Sequence, residues 1–189
     1  MVYTRTHADS TLTFIVSGKL WRNSLIMQDL ETGSLWSHVT GKALEGKLAG
    51  ASLDMIPSVQ TTWSEWVAAH PRTRVLHKPD EIRSSRYESY FTDEDRVGIF
   101  NAGWLHERLS AKTLVHGLID GPHALAVVDA ALPEEDDLIV TLGGSDVRVR
   151  RDRDGGVIAI REEDGAELVV RTAFWFAWSG FYPRTQVID

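Results

Sequence analysis

The chain contains no cysteine, and this absence excludes several kinds of chemistry at once. Without a thiol there is no disulfide bond, no cysteine nucleophile and no thiolate metal site. Disulfides are also the usual sign of an oxidising compartment, so cysteine usage leaves the localisation open. Any reaction or metal site must therefore depend on oxygen and nitrogen side chains.

Long apolar runs are lacking too. No stretch approaches the roughly 20 apolar residues of a transmembrane helix, so the sequence predicts no membrane span. Residues 1–18 have neither the basic start nor the continuous apolar segment of a signal peptide. As written, the chain carries no export signal and is expected to be soluble and cytoplasmic.

The chain has no excess of positive charge. It has 27 acidic and 20 basic residues, for a formal net charge of -7. Binding to nucleic acid needs a basic surface, so this acidic balance predicts no nucleic acid partner. The arginines between residues 148 and 153 alternate with acids, and we expect them to form the solvated face of a hairpin rather than a binding patch.

Recognised motifs for metals, cofactors and nucleophiles are missing as well. The seven histidines form no H-x-H, H-x3-H or H-E-x-x-H pattern, and G-x-S-x-G is absent. Gly143 and Gly144 form a turn that lacks the lysine and the following helix of a phosphate loop. We therefore predict no metal and no cofactor; a metal could bind only through tertiary convergence of His38, His70, His106 or His116.

What is present is a series of short, β-rich segments separated by Gly or Asp-Gly. This pattern predicts a mainly β protein, a β-rich α+β fold, and the 189 residues are enough for a single compact unit. Asp154-Gly155 and Asp164-Gly165 are hairpin turns, so residues 147–171 should form a three-stranded meander. The predicted strands are residues 11–17, 25–29, 35–39, 97–100, 113–119, 124–128, 138–142, 147–150, 157–161 and 167–171.

One segment of the sequence occurs twice. Residues 62–76 and 174–188 align without a gap, matching Trp63 with Trp175, Trp66 with Trp178, and sharing Pro-Arg-Thr-x-Val. The repeat predicts two related antiparallel β lobes, residues 1–78 and 95–189, joined by a long loop at 79–94. Each lobe should be closed by a short Trp-containing helix that packs inward and leads into a strand. Thr62 and Glu65 form a capping box at the first helix.

A cluster of polar residues lies between positions 22 and 40. An arginine and a histidine near a carboxylate can bind an anion or carry out acid–base chemistry. The structural alternative is that residues 29–33 simply make a turn, and that Arg22 pairs with Asp29 across a hairpin. The candidate ligand-binding residues are Arg22, Asn23, Asp29, Ser34 and His38.

The same region resembles the DUF3179 family, a bacterial and archaeal group whose function is unknown. The ending at residues 174–185 is also similar to the family's C-terminus, whereas the likeness is weak over residues 120–171. The matching motifs are Ser17-Gly18, Arg22-Asn23-Ser24, Asp29, residues 32–37, residues 40–43, residues 63–71, Tyr87 to Tyr90, Phe100, Arg108-Leu109 and residues 112–117.

The chain also departs from the usual pattern of the family it resembles. Members usually carry an upstream segment with cysteines, so we expect the start of this chain to be truncated relative to the family. They are often preceded by export or lipid-anchor signals, and none is visible here. Residues 124–128 read ALAVV where members often have a Lys-Ala-Tyr-Pro strand, which removes polar and aromatic groups.

The sequence supports two hypotheses of function. The first is a non-catalytic binding module for a small polar or anionic ligand or a protein partner, because no nucleophile, cofactor loop or metal motif is assembled in it. The alternative is an enzyme of unassigned reaction that uses the polar residues of segment 22–40 and of the loop at residues 87–106. Convergence of Arg22, Asp29 and His38 in one pocket would favour the enzyme.

Overall fold

The computed structural model describes residues 1–76, 90, 93, 97 and 106–189, and the chain is mainly β, as predicted. Strands account for 42% and helices for 11% of the described residues. The described helices are α1 (Trp63–Ala69), α2 (Trp175–Phe181) and a 3-10 helix at Asp129–Ala131. The strands are β1 (Val2–Tyr3), β2 (Thr6–His7), β3 (Ser10–Thr11), β4 (Phe14–Trp21), β5 (Ser24–Asp29), β6 (Leu35–Ser37), β7 (Ala43–Glu45), β8 (Met55–Ile56), β9 (Leu114–Asp120), β10 (His123–Val128), β11 (Leu138–Leu142), β12 (Ser145–Arg151), β13 (Val157–Arg161), β14 (Glu167–Leu168), β15 (Arg171–Phe174) and β16 (Gln186–Ile188).

Three four-stranded sheets organise these strands. The N-terminal sheet is the antiparallel series β4-β5-β6-β7, and its core is built around Trp36. A second antiparallel sheet, β11-β12-β13-β14, contains the predicted meander of residues 147–171 up to Leu168. The third sheet has the order β15-β9-β10-β16. Two-stranded ribbons, β1-β8 and β2-β3, complete the described architecture.

The predicted strand at residues 167–171 proves to be two strands in two different sheets. β14 pairs with β13, whereas β15 pairs with β9. The chain leaves one sheet after Leu168 and enters the other at Arg171, so a continuous β-rich run in the sequence conceals the change of sheet. The predicted strand at 97–100 and the loop at 79–94 lie outside the described residues apart from Tyr90, Asp93 and Val97.

The third sheet is not purely antiparallel, because β16 runs parallel to β10. Helix α2 connects β15, at one edge of the sheet, to β16 at the other edge. β16 therefore runs parallel to β15 as well as to β10, and parallel strands need a crossover connection of this kind. Trp175 and Trp178 of α2 are fully buried against Val115 and Ala126. A Cβ on Gly117 would overlap the Trp178 ring, so glycine lets the indole lie directly on β9.

The two Trp-containing helices share their local structure. Each has seven residues and ends with the same backbone geometry, φ/ψ of -125/66 at His70 and -126/65 at Tyr182. The Trp66 indole donates to Thr73 Oγ1 at 2.9 Å, and the Trp178 indole donates to Thr185 Oγ1 at 3.1 Å. The repeated residues therefore build the same helix and turn twice.

Their packing differs, however. Trp63 is 57% exposed where Trp175 is 1% exposed, and α1 contains no buried residue. The expectation that both helices pack inward is therefore wrong for α1. The following segment forms strand β16 in the second copy, but residues 71–76 form no strand. A sheet lies beneath α2, whereas Thr61 and His70, which flank α1, contact Asp154 of the β12–β13 turn. The division into related halves stays a prediction.

Candidate functional site

Arg22 and Asn23 form the two-residue turn between β4 and β5. Both have left-handed φ values, 50° and 60°, and the flanking residues Trp21 and Ser24 pair directly. This geometry matches a type I′ hairpin turn, for which asparagine is well suited. Asp29 pairs with Phe14 at the other end of the same strand pair. The hairpin thus separates Arg22 from Asp29 by its whole length.

The side chain of Arg22 turns toward helix α2. Its Nη1 donates to the carbonyl of Gly180 at 2.6 Å, and its guanidinium lies 4.9 Å from the ring centre of Trp21. The structural alternative of an ion pair with Asp29 does not occur. Arg22 and Asn23 border a surface cavity of about 470 Å³ together with Phe176, Gly180 and Pro183.

Asp29 and Ser34 belong to a buried network that shapes the β5–β6 connection. Asp29 accepts hydrogen bonds from the Trp36 indole at 2.8 Å and from the Thr32 hydroxyl at 2.9 Å. Ser34 Oγ lies 2.6 Å from the Thr32 hydroxyl and accepts from the Leu48 amide. Burial raises the pKa of Asp29, but these hydrogen bonds outweigh it and the net pKa is lowered. The network stabilises the turn.

His38 lies in a third setting. Its carbonyl accepts a hydrogen bond from the Tyr3 hydroxyl at 2.7 Å, and burial lowers the pKa of its imidazole. The structure therefore places the five predicted ligand residues in three different surroundings and does not bring Arg22, Asp29 and His38 together. Most of the loop at residues 87–106, which the enzyme hypothesis also uses, lies outside the described residues.

A different cavity combines ionisable and hydroxyl groups. It has a volume of about 400 Å³ and lies between the start of α1, the third sheet and the β12–β13 hairpin. We call it the His116 cavity. Its lining residues are Gln60, Thr61, Thr62, Glu65, Leu114, His116, Asp129, Glu134, Arg151, Gly155, Val157 and Thr172.

His116 is one of the ionisable residues that line this cavity. It lies on β9, within the strand predicted at residues 113–119, and is only 4% exposed. Its Nε2 lies 2.8 Å from Asp129 Oδ1, and its Nδ1 lies 3.1 Å from the hydroxyl of Thr172, its cross-strand partner. Burial lowers the pKa of His116 more than Asp129 raises it, so the imidazole is neutral at neutral pH.

Arg151 fixes the carboxylate of Asp129. Its Nη1 and Nη2 each lie 3.3 Å from Asp129 Oδ1, and Nη2 also donates to the Asp129 carbonyl. Burial raises the pKa of Asp129, but hydrogen bonds from His116 and Arg151 bring it below its usual value. Arg151 Nε is buried and has no hydrogen-bond partner among the described residues; Glu134 Oε2 is 3.6 Å away.

The expectation of a solvated arginine face is wrong for Arg151. Arg148 agrees with this expectation, because it pairs with Asp137 and Glu162 at the surface. Arg151 lies on the same face of β12 as Val147 and Val149, because alternate residues of a strand share a face. Both valines are buried, and the Arg151 side chain is only 21% exposed. This alternation was the signal in the sequence that could have identified Arg151 as an inward-facing cation.

The β12–β13 turn closes one side of the cavity against α1. The hydroxyl of Thr61 donates to the carbonyl of Asp154, and His70 Nε2 lies 3.1 Å from the Asp154 carboxylate. Glycine is favoured at position 155, because its φ is +75° and a Cβ there would displace the Glu65 carboxylate. Glu65 accepts from the amide of Thr62, completing the predicted capping box.

The His116 cavity thus offers donors and acceptors close together: the buried Arg151 Nε–H, the Asp129 carboxylate and the Thr172 hydroxyl. Within the described ranges, no group of three or more His, Asp or Glu side chains is arranged to hold a metal ion. None of the helices in the described part of the chain is long and apolar enough to cross a membrane.

Sequence comparison matches most of the chain to one family. The model of DUF3179, described as a protein of unknown function, matches residues 1–171 and so includes His116, Asp129 and Arg151. The second Trp-containing helix lies beyond the matched residues. Neither the curated proteins nor the solved structures contain a significant match to this chain. The chain belongs to the DUF3179 family.

Proposed function

We propose that this DUF3179 domain is a binding module for a small polar ligand, which occupies the His116 cavity. The observation that carries the proposal is the buried Nε–H of Arg151, which has no hydrogen-bond partner among the described residues. A buried donor left without an acceptor costs about 1–3 kcal/mol, and a bound ligand would supply the missing acceptor.

The charges around the cavity favour a neutral polar ligand over an anion. The carboxylates of Asp129, Glu65 and Glu134 line the cavity, and among its described lining residues the one arginine is Arg151, whose two terminal nitrogens already contact Asp129. His116 is neutral at neutral pH and adds no positive charge. A hydroxyl or carboxamide group suits this wall, because it can accept from Arg151 and donate to a carboxylate.

The second candidate function is binding of an anion by Arg22, in the cavity that Arg22 and Asn23 border. Arg22 forms no ion pair with any described carboxylate, so its charge is available to an anion. The guanidinium already contacts Trp21 and the Gly180 carbonyl, which holds it at the rim of that cavity. Asn23 lies next to it and can donate a further hydrogen bond.

Ligand screening with matched variants tests the first site. Thermal shift and calorimetry would compare polyols, sugars and small amides with inorganic phosphate and acetate as probes. For a neutral probe that binds, we expect Arg151→Lys to weaken affinity about tenfold or more, because lysine cannot reproduce the guanidinium Nε–H and planar fork. Arg148→Lys, on the same strand but paired at the surface, should leave affinity unchanged.

The variants that lose ligand binding show which of the two cavities is the ligand site. If Arg151→Lys and Arg148→Lys bind the neutral probe equally well, the His116 cavity is not the ligand site. A phosphate signal that disappears in Arg22→Lys and persists in Arg151→Lys would instead assign an anion to the Arg22 cavity. Melting temperatures of all variants distinguish weaker binding from a damaged fold.

A further inference from the structure

We propose that Thr172 is a nucleophile for acyl transfer from esters, with His116 as its general base and Asp129 as the residue that positions the imidazole. This activity goes beyond ligand binding, and it rests on the proposed function in that the substrate occupies the His116 cavity. It assigns a reaction to a hydroxyl group that no motif in the sequence marks.

The three side chains form a continuous hydrogen-bonded chain. Thr172 Oγ1 lies 3.1 Å from His116 Nδ1, and His116 Nε2 lies 2.8 Å from Asp129 Oδ1. A carboxylate only accepts, so the imidazole carries its proton on Nε2 and leaves the Nδ1 lone pair facing the threonine hydroxyl. A nucleophile, a base within hydrogen-bond reach and a third group that orients the base are the parts this chemistry requires.

Burial keeps this base in its reactive form. His116 is enclosed by β9, by β15 through Thr172 and by the 3-10 helix through Asp129, while Arg151 of β12 lies behind Asp129. Desolvation and the nearby guanidinium favour the neutral imidazole over the cation. A neutral imidazole at neutral pH can accept the hydroxyl proton directly.

Thr172 also occupies the right place for access. It lies on β15, the edge strand of its sheet, and lines both the His116 cavity and a neighbouring cavity of about 370 Å³. Gln60 and Thr61 are the other residues shared by the two cavities. A substrate could therefore place its acyl group on one side of the hydroxyl and its leaving group on the other.

Arg151 supplies an electrophilic group in the same cavity. Its buried Nε–H has no hydrogen-bond partner among the described residues, with the Glu134 carboxylate 3.6 Å away, and can donate to the negative charge that develops on an ester oxygen. Such donors commonly contribute the largest single stabilisation of an acyl-transfer transition state. The same atom that would bind a polar ligand would thus stabilise the reacting carbonyl.

The reaction balances without any further reactant except water. As Thr172 Oγ1 forms a bond to the ester carbonyl carbon, its proton passes to His116 Nδ1. The carbonyl carbon then loses its bond to the leaving oxygen, which takes that proton from His116. Water hydrolyses the acyl-threonine by the same route, giving a carboxylic acid and restoring the hydroxyl.

Acylation by p-nitrophenyl acetate tests the proposal. Intact mass and peptide mapping should show one acetyl group at position 172 in the parent chain and in Thr172→Ser, and none at that position in Thr172→Val, which keeps the side-chain shape. Thr141→Val is the matched control, because the Thr141 hydroxyl contacts a carboxylate, Asp146, but no imidazole. We expect its labelling to match that of the parent chain.

The pH profile separates a catalytic His116 from a structural one. We expect the acylation rate to fall only below about pH 6.5, following the lowered pKa of the imidazole, and to drop about 100-fold in His116→Gln.

Acetylation confined to lysines or the amino terminus, or an unchanged rate in Thr172→Val, would overturn the proposal. If neutral probes bind while Thr172 stays unlabelled and the parent chain releases p-nitrophenol no faster than Thr172→Val does, only this inference fails; if Thr172 is labelled but no probe binds, the binding proposal fails.

Discussion

Single buried polar residues in this protein depend on specific hydrogen-bond partners, some of them distant in the chain and some local. His116 is enclosed by groups 13 and 56 residues away, Asp129 and Thr172. Asp29 is fully buried as a carboxylate and depends on the Trp36 indole and the Thr32 hydroxyl. Removing one partner of such a group leaves a buried charge or donor unsatisfied, which costs more than an ordinary hydrogen bond is worth.

The buried imidazole of His116 and the partly buried one of His38 predict how stability changes with pH. The pKa values of His116 and His38 are lowered in the folded state, so between those values and about 6.5 the unfolded chain binds more protons. Stability therefore increases with pH through this window and is lost as pH falls below about 6.5. Urea unfolding from about pH 7.5 to about pH 5 measures the effect.

A variant identifies the contribution of one imidazole to this pH dependence. His116→Gln cannot titrate, so the slope of unfolding free energy against pH should become smaller, although the variant is less stable throughout. An unchanged slope would show that His116 does not contribute. The carboxylates Asp29 and Asp129, whose pKa values are also lowered, act below about pH 4 and do not affect this window.

At the scale of elements, α1 and α2 show how one local sequence pattern can have two packing outcomes. Both helices end in the same turn and place an indole N–H on a threonine hydroxyl. Only α2 lies on a sheet, where Gly117 leaves room for Trp178. The repeated tryptophans therefore differ in energetic importance although their local geometry is the same.

Alanine substitutions should separate these roles. Trp178→Ala, which removes a fully buried side chain, is expected to cost about 3–5 kcal/mol. Trp66→Ala should cost clearly less, because the side chain is only half-buried, and the exposed Trp63→Ala should change stability by less than about 0.5 kcal/mol. Denaturant midpoints measure all three; equal losses at Trp66 and Trp178 would contradict this ranking.

For the whole molecule, contacts join elements far apart in sequence. Arg22 of the first hairpin donates to Gly180 of α2, and the rings of Trp21 and Phe181 meet edge to face with centres 5.2 Å apart. Thr61 and His70 contact Asp154 of the β12–β13 turn. These contacts connect the N-terminal sheet and α1 to the C-terminal sheets, which is consistent with a single unit.

We therefore expect the chain to unfold in one cooperative transition. Far-UV circular dichroism and tryptophan fluorescence should give coincident urea curves, because losing one sheet exposes the contacts that hold the other. Arg22→Ala should shift both curves to lower urea together. Two separate transitions, or a shift in only one probe, would show that the predicted halves fold independently.

Local features of this fold could be predicted from the sequence. Strand positions such as 138–142 and 157–161, the turns at Asp154-Gly155 and Asp164-Gly165, and the Thr62–Glu65 cap all follow from interactions within a few residues, so their patterns are visible in one segment. The family resemblance likewise depends on linear motifs. These features needed no knowledge of which sheet lies beneath which helix.

Contacts between segments far apart in the sequence formed the candidate site and decided whether each tryptophan is buried. His116 meets Thr172 because β15 pairs with β9, and Arg151 meets Asp129 because β12 turns its inner face toward the third sheet. Neither pairing is encoded by spacing along the chain. Trp63 is exposed and Trp175 is buried in equivalent sequence settings, because burial depends on the surface that the rest of the fold places against each helix.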